Sequence, residues 1–246
     1  MGDLSVSAPL RPRPRTVGHR GASALAPENT LRSIELAIQF GLDMVEVDVY
    51  LSRDGEVVVI HDSDLRRVAR RPEAVADLTA AELSRIDLGQ GQGVPRLVDV
   101  LALARRRIGV YVELKGARTG EMLGRLVRSG GAEGIEVVSG SFELALVREL
   151  RERAPEIPRS VLFGRTSTPA MIEICAEVGA RYAHPCFRPL DVTVVDALHG
   201  AGLLVMAPHT NDPKEARAFA EIGIDVLATD DPRVLVPRAD PPRPDS

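Results

Sequence analysis

From Thr16 to Thr229 the chain repeats one pattern, a short β-branched run followed by a stretch with apolar residues at helical spacing. The runs fall at 16–19, 44–51, 109–114, 135–139, 160–163, 181–183, 203–207 and 226–229. The first helical pattern aligns Leu31, Ile34, Ala37 and Ile38, opens at Asn29 or Thr30 and stops at Gly41. The others span 98–107, 120–129, 143–153, 169–178, 192–199 and 213–222. Strands that alternate with helices build parallel sheets, and eight such units with no obvious edge strand close into a barrel.

The expected class is α/β, a (β/α)8 TIM barrel over 16–236 with a small insertion after its second strand. The 246 residues fit one such domain. The insertion is where the rhythm breaks: Asp54-Gly55 turns a hairpin into a run at 56–60, and 62–97 then carries a capping box, Thr79-x-x-Glu82, and Gly89-Gln-Gly91-Gln-Gly93. Residues 1–15, with Pro9, Pro12 and Pro14, read as a disordered lead-in, and 237–246 as a disordered tail. Aromatics are 3% and Trp is absent, so Val, Leu, Ile and Ala must build the core. A net charge of −4 argues against a nucleic-acid partner. Cys175 and Cys186 fit free thiols rather than a disulfide framework or a zinc site. No apolar run reaches a membrane span, and no apolar stretch follows the N-terminal arginines as in a secretory signal, so a cytoplasmic protein without stable membrane insertion is expected. Nothing in the pattern specifies an oligomeric state.

The polar residues inside the runs carry the chemistry. Side chains alternate faces along a strand, so in Val45-Glu46-Val47-Asp48-Val49 the acids share one face and the valines the other. In a barrel the valines pack on helices and the acids point inward. Glu113 and Lys115 share a face in the same way. Neighbouring carboxylates in a low-dielectric site repel, and a hard cation such as Mg²⁺ or Ca²⁺ is their natural neutraliser. His19-Arg20-Gly21 ends the first run and His61-Asp62 follows the hairpin. Any one acid could be half of a buried ion pair with Lys115 or Arg20. Seven ionisable groups at one rim are costly to bury without a metal, a substrate or water. The C-terminal face of a barrel is where active sites form. The set suits an anionic, phosphoryl-bearing substrate: a cation on Glu46, Asp48 and Glu113 polarises one oxygen, Arg20 offers a planar fork, and Lys115 a point charge. His19 and His61 could divide acid and base work.

Those residues form spaced motifs. His19-Arg20-Gly21, Pro27-Glu28-Asn29-Thr30, Glu46-Val47-Asp48 and His61-Asp62 stand in order, followed by Pro95-x-Leu97, Val112-Glu113-Leu114-Lys115, Ser141-Phe142, Asn211, Gly223-x-Asp225 and Thr229-Asp230-x-Pro232. With them the chain resembles the glycerophosphodiester phosphodiesterases over about 16–235. The resemblance implies hydrolysis of a small-molecule glycerophosphodiester to glycerol 3-phosphate and an alcohol. It implies Ca²⁺ or Mg²⁺ on Glu46, Asp48 and Glu113, His19 and His61 as the acid–base pair, and phosphate held by Arg20 and Lys115. Asn29 would orient the loop after the first strand, with Glu28 as a second candidate there.

One segment departs from the family. Where a Trp-Thr pair often ends the seventh strand, this chain has Ala207-Pro208-His209-Thr210-Asn211. His209 is a candidate polar contact in the altered wall, His184 after the sixth strand another, and Phe187 a replacement for the missing aromatic. His199, late in a helix, reads as structural or solvated. Two other readings stay open. One is a phospholipase D-like hydrolase of lysophospholipids, whose secreted members carry disulfides and lack the insertion, so that this chain fits them poorly. The other is a ligand-binding barrel without catalysis.

Overall fold

A computed structural model of the chain describes residues 13–236. The expected tail, and the lead-in up to residue 12, lie outside the described residues, but Arg15, expected in that disordered lead-in, is instead the first residue of the first strand, paired with Val226. The elements run β1 (Arg15–Gly18), α1 (Leu31–Gln39), β2 (Met44–Leu51), β3 (Val57–Val59), α2 (Arg66–Ala69), α3 (Ala80–Leu83), α4 (Leu97–Ala104), β4 (Gly109–Leu114), α5 (Thr119–Arg128) and β5 (Val137–Ser141). They continue α6 (Leu144–Arg153), β6 (Arg159–Phe163), α7 (Thr168–Val178), β7 (Tyr182–Pro185), α8 (Val192–Gly200), β8 (Leu204–Val205), α9 (Pro213–Glu221), β9 (Val226–Thr229) and α10 (Pro232–Leu235).

Eight strands are parallel, in the order β8-β7-β6-β5-β4-β2-β1-β9, and β3 pairs antiparallel with β2 at the side. The ends of the series meet where Met206 lies opposite Val226 and the Ala207 amide donates to the Val226 carbonyl at 3.0 Å. The sheet thus closes almost completely, as the alternation predicts. Strand limits follow partners rather than local composition. β5 sits two residues later than its β-branched run, because Val137 pairs with Val110 and Ser141 with Val161. β8 is only Leu204–Val205, and Pro208 beyond it has no N–H to offer a ladder.

Two-residue alternation sorts the strands into an outer and an inner face. Val45, Val47 and Val49 face out and pack, fully buried, with Ile34, Leu101 and Leu123 of the surrounding helices. Burial of each such side chain stabilises by about 1.5–3 kcal/mol. Inside, Val17, Met44, Tyr111, Val138, Leu162, Tyr182, Met206, Val226 and Ala228 fill the barrel beneath its mouth. Tyr111 is the large member, and it needs Gly140 opposite. A Cβ on Gly140 would lie 2.6 Å from Tyr111 Oη and 2.7 Å from the Ser160 carbonyl oxygen.

Residues 62–97 lie beside the mouth around a core of their own, in which Leu65, Val75, Leu83 and Val94 pack on Val58 and Ile60. Thr79 caps α3 with Glu82 in the reciprocal arrangement its spacing predicts. Among the described residues no helix is long and apolar enough to cross a membrane.

Gly140→Ala should therefore overpack the barrel interior and lower stability by about 1–3 kcal/mol. Urea unfolding of both proteins measures it, and an unchanged midpoint would contradict the close packing described.

Candidate active site

β2 and β4 bring the three acids together. Asp48 lies opposite Glu113 in the register, and Glu46 is two residues below Asp48 on the same face. All three are buried, at 6%, 1% and 7% exposure for Glu46, Asp48 and Glu113. One oxygen from each lies within 4.8 Å of the others. Asp48 accepts from Asn29 Nδ2 at 2.9 Å and pairs with Arg20 Nε at 3.4 Å and Lys115 Nζ at 3.3 Å. Lys115 also sits 2.5 Å from Glu113 Oε1. Glu46 accepts from the Arg20 backbone N–H at 2.8 Å through one oxygen, while Oε1 has no partner among the described residues. Burial first, then Asp48 and Glu113, push Glu46 well above the usual carboxylate range. Burial and Asp48 raise Glu113 too. Burial alone would lower Lys115, but Asp48 and Glu113 hold it above its ordinary value. A buried all-oxygen donor set with an orphaned carboxylate oxygen fits Ca²⁺ or Mg²⁺.

The loop after β1 is shaped to serve these acids. Arg20 and Asn29 both adopt φ of 57°, in the left-handed region. Gly21 follows at φ 82°, where a Cβ would lie 2.4 Å from Ser33 Oγ. Of the two cap candidates, Thr30 takes the role: its hydroxyl accepts from Ser33 N, and the Ser33 side chain accepts from Thr30 N. Asn29 is thereby free to clasp Asp48, donating to its carboxylate and accepting from its backbone N–H at 3.2 Å. Glu28 stands behind, bonded to Arg20 Nη1 at 3.0 Å and to both terminal nitrogens of Arg67 at 2.7 Å.

Each of the two expected histidines is held by a carboxylate. His19 Nδ1 lies 2.7 Å from Asp230 Oδ1, and Asp230 also accepts from Ser23 Oγ at 3.0 Å and Asn211 Nδ2 at 2.7 Å. His61 Nδ1 lies 2.7 Å from Asp62 Oδ1, and Asp62 accepts from Arg67 Nε at 2.6 Å. Burial opposes ionisation of Asp230, but the bonds from His19 and Asn211 outweigh it and hold the carboxyl below its usual range. For Asp62 the bonds from His61 and Arg67 do the same. An ionised carboxylate only accepts, so it assigns the proton to Nδ1 and leaves each Nε2 lone pair for proton exchange.

His209 stacks on His19, centroids 4.3 Å apart and planes 12° from parallel. Burial and His19 lower its pKa. His19, His209 and Asp230 also bring ligand atoms within 4.8 Å. Nearly parallel rings set their in-plane lone pairs side by side, which suits stacking rather than joint ligation.

A cavity of about 260 Å³ opens among these groups. His19, Arg20, Glu46, His61, Glu113, Lys115, His184 and His209 all line it. Asp48, Asn29 and Glu28 stand behind that lining. Phe187 corrects the expectation of an aromatic wall: it packs with the α7–α8 cluster, and Phe142, 48% exposed, is the phenylalanine at the cavity. Phe187 lies two residues past the end of β7, where strand alternation no longer fixes direction, and the path of the loop carries it to the helix-side cluster. His199 pairs with Asp225 at 2.8 Å, away from the cavity. Sequence reasoning did not assign roles to Asp62, Asp230, Asn211, Arg67 or Tyr111. Asp62 adjoins His61 and Asp230 directly follows the last strand, which were available signals. Arg67 and Tyr111 had none.

The sequence profile of the Glycerophosphoryl diester phosphodiesterase family matches residues 19–234. The chain is 32% identical over 239 residues to the Bacillus subtilis protein YhdW, covering 89% of this chain and 96% of that one. It is 31% identical over 237 residues to a glycerophosphodiester phosphodiesterase of Bacillus altitudinis, covering 87% and 93%. Its fold is similar to that of an Oleispira antarctica phosphodiesterase solved with the product sn-glycerol-3-phosphate, at TM-score 0.82 and 28% identity, covering 92% and 96%.

The crowding of charge at Glu46 has a measurable sign. A carboxyl whose folded pKa is raised binds more protons folded than unfolded, so it costs stability as pH climbs above its unfolded value. In the presence of a chelator, Glu46→Gln should melt higher than the parent protein, with a gap that widens between about pH 5 and about pH 8. A variant that melts lower at both pH values would contradict the crowding.

Proposed function

The chain belongs to the glycerophosphoryl diester phosphodiesterase family and is a phosphoric diester hydrolase, and from that premise we propose metal-dependent hydrolysis of glycerophosphodiesters by a His19/His61 acid–base pair. The products are glycerol 3-phosphate and an alcohol. One observation carries the reading: two carboxylate-anchored histidines line a single cavity with Glu46 and Glu113, two members of a buried acid trio whose third, Asp48, stands directly behind them.

Glu46, Asp48 and Glu113 would hold the divalent cation, which supplies Lewis-acid polarisation of a phosphoryl oxygen when bound. Arg20 and Lys115 now share their charge with these acids. With the acids otherwise neutralised, the guanidinium and ammonium donors are left for phosphate oxygens. One histidine, neutral with a bare Nε2, takes the proton from the attacking hydroxyl, and the other, entering the step as an imidazolium whose Nδ1–H is held by its carboxylate, gives its Nε2 proton to the departing oxygen. In the route the family resemblance implies, the glycerol 2-hydroxyl attacks phosphorus and water then opens the cyclic phosphate, with the two histidines exchanging roles. Asp230 and Asp62 keep each ring in the tautomer and orientation this needs, and stabilise the imidazolium that forms. His209 restrains the His19 ring from its face. The sn-glycerol-3-phosphate bound by the Oleispira antarctica relative supports the product assignment.

The purified protein should release glycerol 3-phosphate from glycerophosphocholine or glycerophosphoethanolamine, and EDTA should abolish the release. His19→Ala and His61→Ala should each lower kcat by about 10²–10⁴ while circular dichroism shows a folded barrel. Full activity in either variant, or activity indifferent to EDTA, would refute these roles.

A further inference from the structure

We propose that His184 selects a polyol end for the substrate, its Nδ1 accepting a hydrogen bond from the terminal hydroxyl of the glyceryl group. The inference deepens the phosphodiesterase reading above and rests on it.

Among the described residues, five buried side-chain polar atoms lack a hydrogen-bond partner: Arg20 Nε, Glu46 Oε1, Tyr111 Oη, Glu113 Oε1 and His184 Nδ1. All five residues line the same cavity. Arg20 Nε and Glu113 Oε1 are held in ion pairs, and Glu46 Oε1 belongs to the acid trio. Tyr111 Oη and His184 Nδ1 remain. Both are on neutral side chains, and neither has a task in holding a cation or a phosphate.

The chemistry of His184 Nδ1 is fixed by the other side of its ring. Nε2 lies 3.1 Å from the Ala207 carbonyl oxygen, which can only accept, so Nε2 carries the hydrogen. A second proton is disfavoured: burial, with His19 and His209 facing the ring, lowers the pKa to about 4. Nδ1 is therefore a bare lone pair at neutral pH. It repels a phosphate oxygen, and a quaternary ammonium head group has no N–H to donate to it. It requires a donor, and a buried acceptor left without one is costly. Such a weak base is poorly matched to proton abstraction at neutral pH, so the role is positioning.

The placement suits a glyceryl chain. His184 faces inward on β7, since neighbouring Ala183 packs outward with the helices. Tyr111 lies two residues below Glu113 on β4, one step deeper than the charged ring. Its hydroxyl occupies the space above Gly140, beside Ser160 but without a well-formed bond to it. Val17, Leu162, Met206 and Ala228 complete an apolar lower wall. A phosphate among the charged groups would leave the carbon chain against that wall and its far hydroxyl near the neutral polar atoms.

The test compares a glycerophosphodiester with the matching diester of propane-1,2-diol, which keeps the hydroxyl next to the ester carbon and lacks the terminal one. The wild-type protein should prefer the glyceryl substrate in kcat/KM by about tenfold or more. His184→Phe should bring the ratio close to one, and His184→Asn, which retains an acceptor near the Nδ1 position, should restore part of it. The wild-type ratio should stay flat between about pH 6 and about pH 8, because His184 remains neutral there. Equal loss on both substrates in His184→Phe, or no preference in the wild type, would overturn the proposal. A second measurement needs no turnover and no variant. In imidazole ¹⁵N NMR of the wild-type protein, His184 Nδ1 should shift on adding glycerol 3-phosphate but not propane-1,2-diol phosphate. Absence of that difference also overturns it. Failure to hydrolyse either diester with any cation, while the NMR shift is present, would instead count against the catalytic reading.

Discussion

Three carboxylates buried at one barrel mouth repel one another, and the surrounding structure is arranged around that repulsion. Asp48, 1% exposed, is the hub, with Asn29, Arg20 and Lys115 all directed at it. The groups that meet it come from two separate places: the loop after β1 and the residue just past the end of β4. Two of those contacts require left-handed backbone at Arg20 and Asn29, a conformation that costs energy unless the surroundings enforce it. The compensation is incomplete, since Glu46 keeps an oxygen without a partner. A buried acid trio left under-compensated in this way has the donor chemistry that a hard divalent cation takes.

The histidines obey the same economy of charge from a different direction. Each Nδ1 is committed to a carboxylate, and each carboxylate is steadied by a further donor: Asn211 and Ser23 for Asp230, Arg67 for Asp62. Arg67 also grips Glu28, which grips Arg20. The segment after the hairpin is therefore wired by ion pairs to the loop that positions Arg20. A displacement of α2 would be felt at the acid trio even though no residue of that helix lines the cavity.

Much of this was legible before any coordinates. Glu46, Asp48, Glu113 and Lys115 sit at alternating strand positions, and alternation is a local property that fixes which side chains share a face. Outward burial of Val45, Val47 and Val49 follows from the same rule. The N-cap choice between Asn29 and Thr30 was open because both residue types cap helices. It closed only when Asp48 claimed Asn29, a contact across 19 positions of chain. The aromatic at the cavity was harder still. Phe142 and Phe187 both follow strands, and only the paths of the two loops separate them. The partners of His184 were beyond reach for the same reason, since Ala207 approaches it from the next strand.

The order of the chain alone thus determined the barrel and the face on which its acids lie, because period-two and period-3.6 patterns are set by backbone geometry within a few residues. Tertiary structure decided how those charges are compensated, which carboxylate holds which histidine, and which buried polar atoms of the cavity-lining residues are left without partners. Those outcomes depend on distances of a few ångströms between residues far apart in the chain, and only closure of the barrel sets such distances.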